Sequence, residues 1–181
     1  MSWIQKDDAA AGALGRELRE SSNGHMTRRR GAVCFSLLSM ASLGVIALYQ
    51  TGVLKHVPEP PLPGLDADKV NGSAQAYRYL STPDAVLGIG SYAASLSLAA
   101  MGAPDRARRR PWIPLAWAAK TGADAVLAAK LTFDEAKRHH AFCLWCLVAA
   151  GAAFACVPLA IPEARAALNE VLQRLRKPAC Q

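Results

Sequence analysis

Charge is scarce in this sequence, and so are aromatic rings. Only 19% of its 181 residues are Asp, Glu, Lys or Arg and only 7% are aromatic, against 52% apolar. A soluble domain usually carries about a quarter charged residues. The deficit argues against disorder, a coiled coil and a secreted miniprotein. No internal repeat is present. No secretory signal peptide is expected either, because the first apolar block follows a polar leader over 1–30 and is too long for a signal h-region.

What is present is long apolar runs. They form four blocks, 31–54, 85–101, 111–131 and 141–161. A crossing needs roughly 20 predominantly apolar residues to cover ~30 Å of hydrocarbon at 1.5 Å per residue. The blocks leave too few residues for a separate soluble domain. The sequence therefore predicts an all-α integral membrane protein: a leader (1–30), a membrane domain of four spans (31–161) and a tail (162–181).

The net charge of +7 comes from 21 Lys and Arg against 14 Asp and Glu. Fourteen of those basic residues lie in the leader, in the 106–110 cluster between spans two and three, and after span four, whereas five (Lys55, Lys69, Arg78, Lys137, Arg138) lie in the other two loops. That is a positive-inside pattern, which makes both termini cytoplasmic and turns loops 55–84 and 132–140 outward. Nucleic-acid binding would need basic residues interleaved with aromatics on a solvated face, and none are so arranged. Residues 7–20 suit a short surface helix. Residues 162–177, with Leu168, Val171, Leu172 and Leu175 near helical spacing, read as an amphipathic helix on the inner leaflet. Pro58, Pro60, Pro61 and Pro63 predict an extended stretch over 56–64.

The five cysteines sort by depth. Cys34 lies near the inner end of span one, Cys156 well inside span four and Cys180 in the tail. Cys143 and Cys146 form a Cys-Leu-Trp-Cys motif at the outer end of span four. Cys34 is some 20 residues, ~30 Å of helix, from the outer end of its span. It cannot meet the motif, because a disulfide needs Cα atoms within about 7 Å. At a helix start, the dipole and unpaired N–H groups favour a thiolate on the first cysteine, which suits dithiol redox chemistry, and His139 and His140 would add to this when protonated. The alternatives are a metal site, which would want two more ligands, and a pair of inert small hydrophobes. No metal is expected.

The segment Phe142-Cys143-Leu144-Trp145-Cys146-Leu147, a long loop after span one closing with Leu80-Ser81-Thr82-Pro83, and the opening Gly88-Ile89-Gly90-Ser91 of span two together resemble the vitamin K epoxide reductase family in its bacterial form, over roughly residues 33–160. The resemblance implies a four-transmembrane-helix bundle around a quinone of ubiquinone or menaquinone type. It places Cys146 against the quinone ring and has Cys143 exchange electrons with an outer thiol. Ser81 or Thr82 matches the family's hydroxyl at the end of the outer loop, and Ser91 stands nearest the residue that hydrogen-bonds a quinone carbonyl. Trp145, between the cysteines, is a candidate quinone neighbour. The family further implies a multi-pass protein of the bacterial inner membrane with its dithiol on the periplasmic side, partnered by membrane lipid and by a periplasmic thiol oxidoreductase or small thiol. One feature of the family is missing: loop 55–84 contains no cysteine, so no shuttle pair stands before Cys143. The reductant is then expected to meet Cys143 directly, with the proline-rich stretch and a helix-like 65–79 as a cap.

Lys120 and Asp124, four apart in span three, fall on one face and can pair, as a structural ion pair or a proton route. Lys130 is expected to snorkel. Small residues from Gly88 to Ser97 suit close helix packing. The leading function is thus a membrane thiol–quinone oxidoreductase. The alternative is a non-catalytic membrane module or thiol redox sensor of the same descent.

Overall fold

The computed structural model describes residues 3–78 and 80–176. Cys180 and the end of the tail, and Tyr79 at the end of the expected loop helix, lie outside them. All described secondary structure is helical apart from one isolated bridge, Leu65 to Phe142. In order, the helices are α1 (Trp3–Glu20), α2 (Gly24–Gln50), α3 (Ala67–Asn71), a 3-10 turn (Ala74–Tyr77), α4 (Asp84–Ala100), α5 (Arg106–Arg109), α6 (Trp112–Asp134), a π turn (Glu135–His139) and α7 (Leu144–Arg176).

Two of these, α2 and α7, are long and apolar enough to cross a membrane; α4 is apolar but shorter. α6 has the length, but Lys120, Asp124 and Lys130 interrupt its apolar run. α2 begins upstream of the first apolar block because Asn23 caps it, its side chain accepting the N–H of Met26 at 2.8 Å. α7 joins the fourth apolar block to the amphipathic stretch expected as a separate tail helix. Pro158 and Pro162 lie inside it without ending it, since each removes only one backbone donor from a long ladder.

α2 packs against α4 and α7, and α6 packs against α7 and α4, so the four long helices close a ring. Small side chains let them approach. Ser36, Ser39 and Ser42 are buried along one face of α2, and Ser39 Oγ donates to the Ala149 carbonyl of α7 at 3.2 Å. Ala149, Ala152, Ala153 and Ala160 supply the facing surface on α7. A Cβ at Gly88 would come within 2.6 Å of Leu43 Cδ1, so α4 approaches α2 closely there.

One end of the ring is closed by buried charge. The last carbonyls of a helix have no intrahelical partner, and Arg29 supplies them for α4. Its guanidinium donates to Ala99 (2.8 Å), Ala100 (2.9 Å), Met101 (3.1 Å), Gly102 (2.9 Å) and Ala103 (3.3 Å). Beside it Arg106 pairs with Glu163 of α7 through two bonds of 2.8 Å and lies over the Trp117 ring. The opposite end carries the long loop between α2 and α4. There Gln50 Nε2 donates to Asp84 Oδ1 at 2.7 Å and Tyr77 OH donates to the Gln50 carbonyl at 3.0 Å, tying the loop's two ends together.

Candidate active site

Cys143 is the residue from which α7 starts. Its carbonyl accepts the N–H of Leu147 at 3.0 Å, the first bond of the helix, and its Sγ accepts the N–H of Cys146 at 3.4 Å. That is the geometry of a helix cap with sulfur in place of oxygen. The chain reaches this point through a sharp reversal: the π turn closes α6, and His140 adopts a left-handed conformation (φ 49°). Both cysteines are free thiols.

The long loop lies over this helix start. Phe142 pairs with it on both sides, its N–H donating to Gly64 O at 2.8 Å and its carbonyl accepting from Asp66 N–H at 3.0 Å. Trp145 Nε1 donates to the Pro58 carbonyl at 2.7 Å. Glu59 bridges the two segments, accepting the N–H of Ala67 through Oε1 and that of Leu144 through Oε2. Asp68 holds the start of the loop by accepting from Val57 N–H at 2.8 Å and pairing with His56 at 2.7 Å. Cys143 is consequently completely covered, at 0% exposure, packed with Ile46, Val57, Ala67, Val70, Ala85 and Ala141. With the loop docked in this way, Cys143 is not open to an outer reductant.

Cys146, one turn on, is only partly buried and opens on a cavity of about 910 Å³, part of it continuous with solvent. Its floor and walls are mostly apolar: Leu43, Ile46, Leu127, Ala128, Leu131 and Ala149. The polar groups are few. Cys146 Sγ donates to Asn71 Oδ1 at 3.7 Å, and Asn71 is held in turn by its Nδ2 bond to the Ala67 carbonyl at 2.8 Å. Tyr92, Asp84 and His139 also face the cavity. So does Glu135, which is only 8% exposed and accepts the N–H of Cys143 at 3.4 Å through Oε2. Burial pushes the Glu135 carboxyl up to about 7, against the Cys143 N–H and the nearby Cys146 thiol, which hold it down, while the neighbouring Asp84 pushes it up further.

The residues singled out from sequence divide. Cys146 and Ser91 line the cavity and Cys143 adjoins it; Trp145, Ser81 and Thr82 do not line it. The Trp145 indole is engaged by the loop instead. Thr82 Oγ1 donates to the nearby Leu80 carbonyl at 3.0 Å, and Ser81, exposed, sits in a left-handed turn with φ 49°. The Ser91 hydroxyl donates to Asp124 Oδ1 at 2.8 Å and accepts from Lys120 Nζ at 2.8 Å. Lys120 and Asp124 do pair, at 2.5 Å, with Ser95 donating to the second carboxylate oxygen at 2.5 Å. Asn71, Tyr92, Glu135 and Glu59 were not visible in the sequence. Each is a single polar residue in no motif, and only the folding of the loop over α7 brings them to the dithiol.

The sequence model of the Vitamin K epoxide reductase family matches residues 32–161, a stretch that contains both thiols, the covering loop and the whole cavity lining. Among curated proteins no match is found.

Proposed function

The chain belongs to the vitamin K epoxide reductase family, a family of membrane redox enzymes whose members bind quinones, and on that premise we propose that it is a membrane thiol–quinone oxidoreductase. In this reading the four long helices form a transmembrane bundle, the loop between α2 and α4 lies on the outer side, and electrons pass from an outer thiol through Cys143 and Cys146 to a quinone. The observation that carries it is the position of the two sulfurs: Cys146 opens on a largely apolar cavity, and Cys143 sits one turn away beneath the docked loop.

The residues present suit a quinone. Pockets for flat organic ligands are commonly apolar with a few polar groups, and this one has that lining. Tyr92 and Asn71 offer donors at its wall, Asn71 with one amide hydrogen bonded to Ala67. The Ser91 hydroxyl proton is given to Asp124, so Ser91 acts by holding the Lys120–Asp124 pair rather than by donating to a carbonyl. A bound quinone supplies a two-electron, two-proton acceptor.

The protein's own steps follow from thiol–disulfide chemistry. With Cys143 and Cys146 joined, an outer thiolate attacks Cys143 Sγ once the loop lifts, and Cys146 leaves as thiolate toward the cavity. A second outer thiol then frees Cys143. The loop excludes water and stray thiols from Cys143 between turnovers.

The alternative, a thiol sensor or binding module, draws on the complete burial of Cys143 and the lack of loop cysteines. Trapping separates the two. In cells, Cys146→Ser should accumulate a mixed disulfide between Cys143 and an outer partner, because the resolving thiol is gone, and Cys143→Ser should accumulate none. The reverse pattern would exchange the roles of the two cysteines. Absence of any adduct, with no turnover on small dithiols, would favour the module.

A further inference from the structure

Resting on the reading above, we propose that Glu135 is the proton-transfer residue of this dithiol: its carboxylate takes the proton of the Cys146 thiol as the Cys143–Cys146 bond forms, and delivers it to the quinone oxygen. Three features of its setting point there.

The first is position. Glu135 lies on the π turn that leads into the cysteine motif, lines the same cavity as Cys146 and accepts a hydrogen bond from the backbone of Cys143. It touches Cys143 directly and shares with Cys146 the cavity where an acceptor would bind. π turns are rare and recur at functional sites.

The second is the lack of a counter-charge. Buried carboxylates in proteins are usually paired. Among the described residues the chain's ion pairs involve Asp68, Glu163, Asp105, Asp124, Asp134 and Glu170, but not Glu135. The titratable groups that share its cavity are Asp84 and Tyr92 on α4, Asp124 and Asp134 on α6, His139 on its own turn and Cys146 on α7, with Cys143 bonded to it at the cavity's edge; α2 presents Leu43 and Ile46 to the same space, and α3 presents Val70 and Asn71. Among the described residues, no lysine or arginine lines the cavity.

The third is its proton affinity. A group held near 7 by burial exchanges a proton readily at neutral pH, which is what a general acid–base residue requires.

The balance is as follows. The two thiols lose two protons and two electrons and gain one S–S bond. The quinone gains the same two electrons and two protons and becomes quinol. Glu135 carries the Cys146 proton and ends each turnover as the carboxylate in which it began. Cys143 supplies the other proton.

The test uses the full chain in detergent or nanodiscs, reduced, freed of reductant and mixed with a short-chain ubiquinone analogue across pH 5 to 9. Quinol formation by the wild type should rise with pH and level off near 7, where the carboxylate becomes available. Glu135→Gln should lower the rate at pH 7 on the order of 10²-fold, the usual contribution of general acid–base catalysis. It should also remove the plateau, leaving a rate that climbs roughly tenfold per pH unit as thiolate forms unaided. Glu135→Asp should restore part of the rate together with the plateau. Alkylation of Cys146, read site by site by mass spectrometry, gives a second readout without quinone: its rate should lose the same inflection in Glu135→Gln.

A wild type that turns over while Glu135→Gln keeps both rate and plateau would overturn the Glu135 proposal and leave the proposed function standing. A wild type that forms no quinol would overturn both. A Glu135→Gln protein with altered helical circular dichroism is judged on the Asp variant, where loss of the plateau overturns the proposal and its retention supports it.

Discussion

Burying a carboxyl group without a counter-ion costs stability, and Glu135 is placed so. Its proton affinity is raised from 4.5 to about 7, chiefly by burial. Between those values the folded chain holds a proton that the unfolded chain has released. The contribution to stability is therefore complete below about 4.5 and lost as pH rises through about 7. A shift of this size corresponds to about 3 kcal/mol. Glu135→Gln should accordingly melt above the wild type at pH 8, with the gap shrinking toward pH 5, as followed by thermal unfolding in detergent. An equal gap at both pH values would mean that the carboxyl is not buried as charge at all. The same residue shows what sequence reading leaves out. Cys143 and Cys146 carry a motif and a helix position, and both are legible; Lys120 and Asp124 reveal themselves by being charged and four apart. Glu135 is one acidic residue in a polar loop, and only its burial sets it apart from Asp134, which pairs with Lys130 at the surface.

Among elements, the segment from Val57 to Ala67 lies over Cys143. Proline content made it legible as extended, since Pro58, Pro60, Pro61 and Pro63 exclude helix. Its docking was not legible, because most anchors are backbone groups of Pro58, Gly64 and Asp66 that any sequence would offer, and Glu59, which bridges to Leu144, belongs to no motif. The Trp145 indole is the anchor most easily removed. Trp145→Phe keeps the ring and loses the donor, a change of about 1 kcal/mol for a typical hydrogen bond. Alkylation of Cys143 by a small reagent requires the loop to open, so its rate should rise about fivefold in that variant, while Cys146, already open to the cavity, should change little. If Cys143 is modified no faster in Trp145→Phe, the loop is not what covers it.

At the scale of the whole molecule, four helices in a ring bring the start of α2 and the end of α7 to the side that carries Arg29, Arg106 and Glu163. The charge pattern predicts that side to be cytoplasmic, and the structure gives part of the pattern a second reason: Arg29 and Arg106 are buried, serving the carbonyls at the end of α4, so they have a structural role independent of topology. The apolar blocks made the long helices legible. Where they start and stop was not, because Asn23 extends α2 and the two prolines fail to divide α7. Orientation can be tested with single cysteines at exposed positions in a chain otherwise lacking exposed thiols. An impermeant thiol reagent on intact cells should label Leu62→Cys in the loop and should not label Leu172→Cys near the end of α7; labelling of the second would reverse the topology.

The central claim is that the Cys143–Cys146 dithiol reduces a quinone held in the cavity beside it. Quinol formation by the purified full chain, supplied with a small dithiol and a short-chain quinone, measures this directly. Turnover should be present in the wild type, retained in Cys34→Ala and Cys156→Ala, whose sulfurs lie along α2 and deep in α7, and abolished in Cys146→Ala. Turnover that survives Cys146→Ala, or a wild type inert toward both ubiquinone and menaquinone analogues, would contradict it.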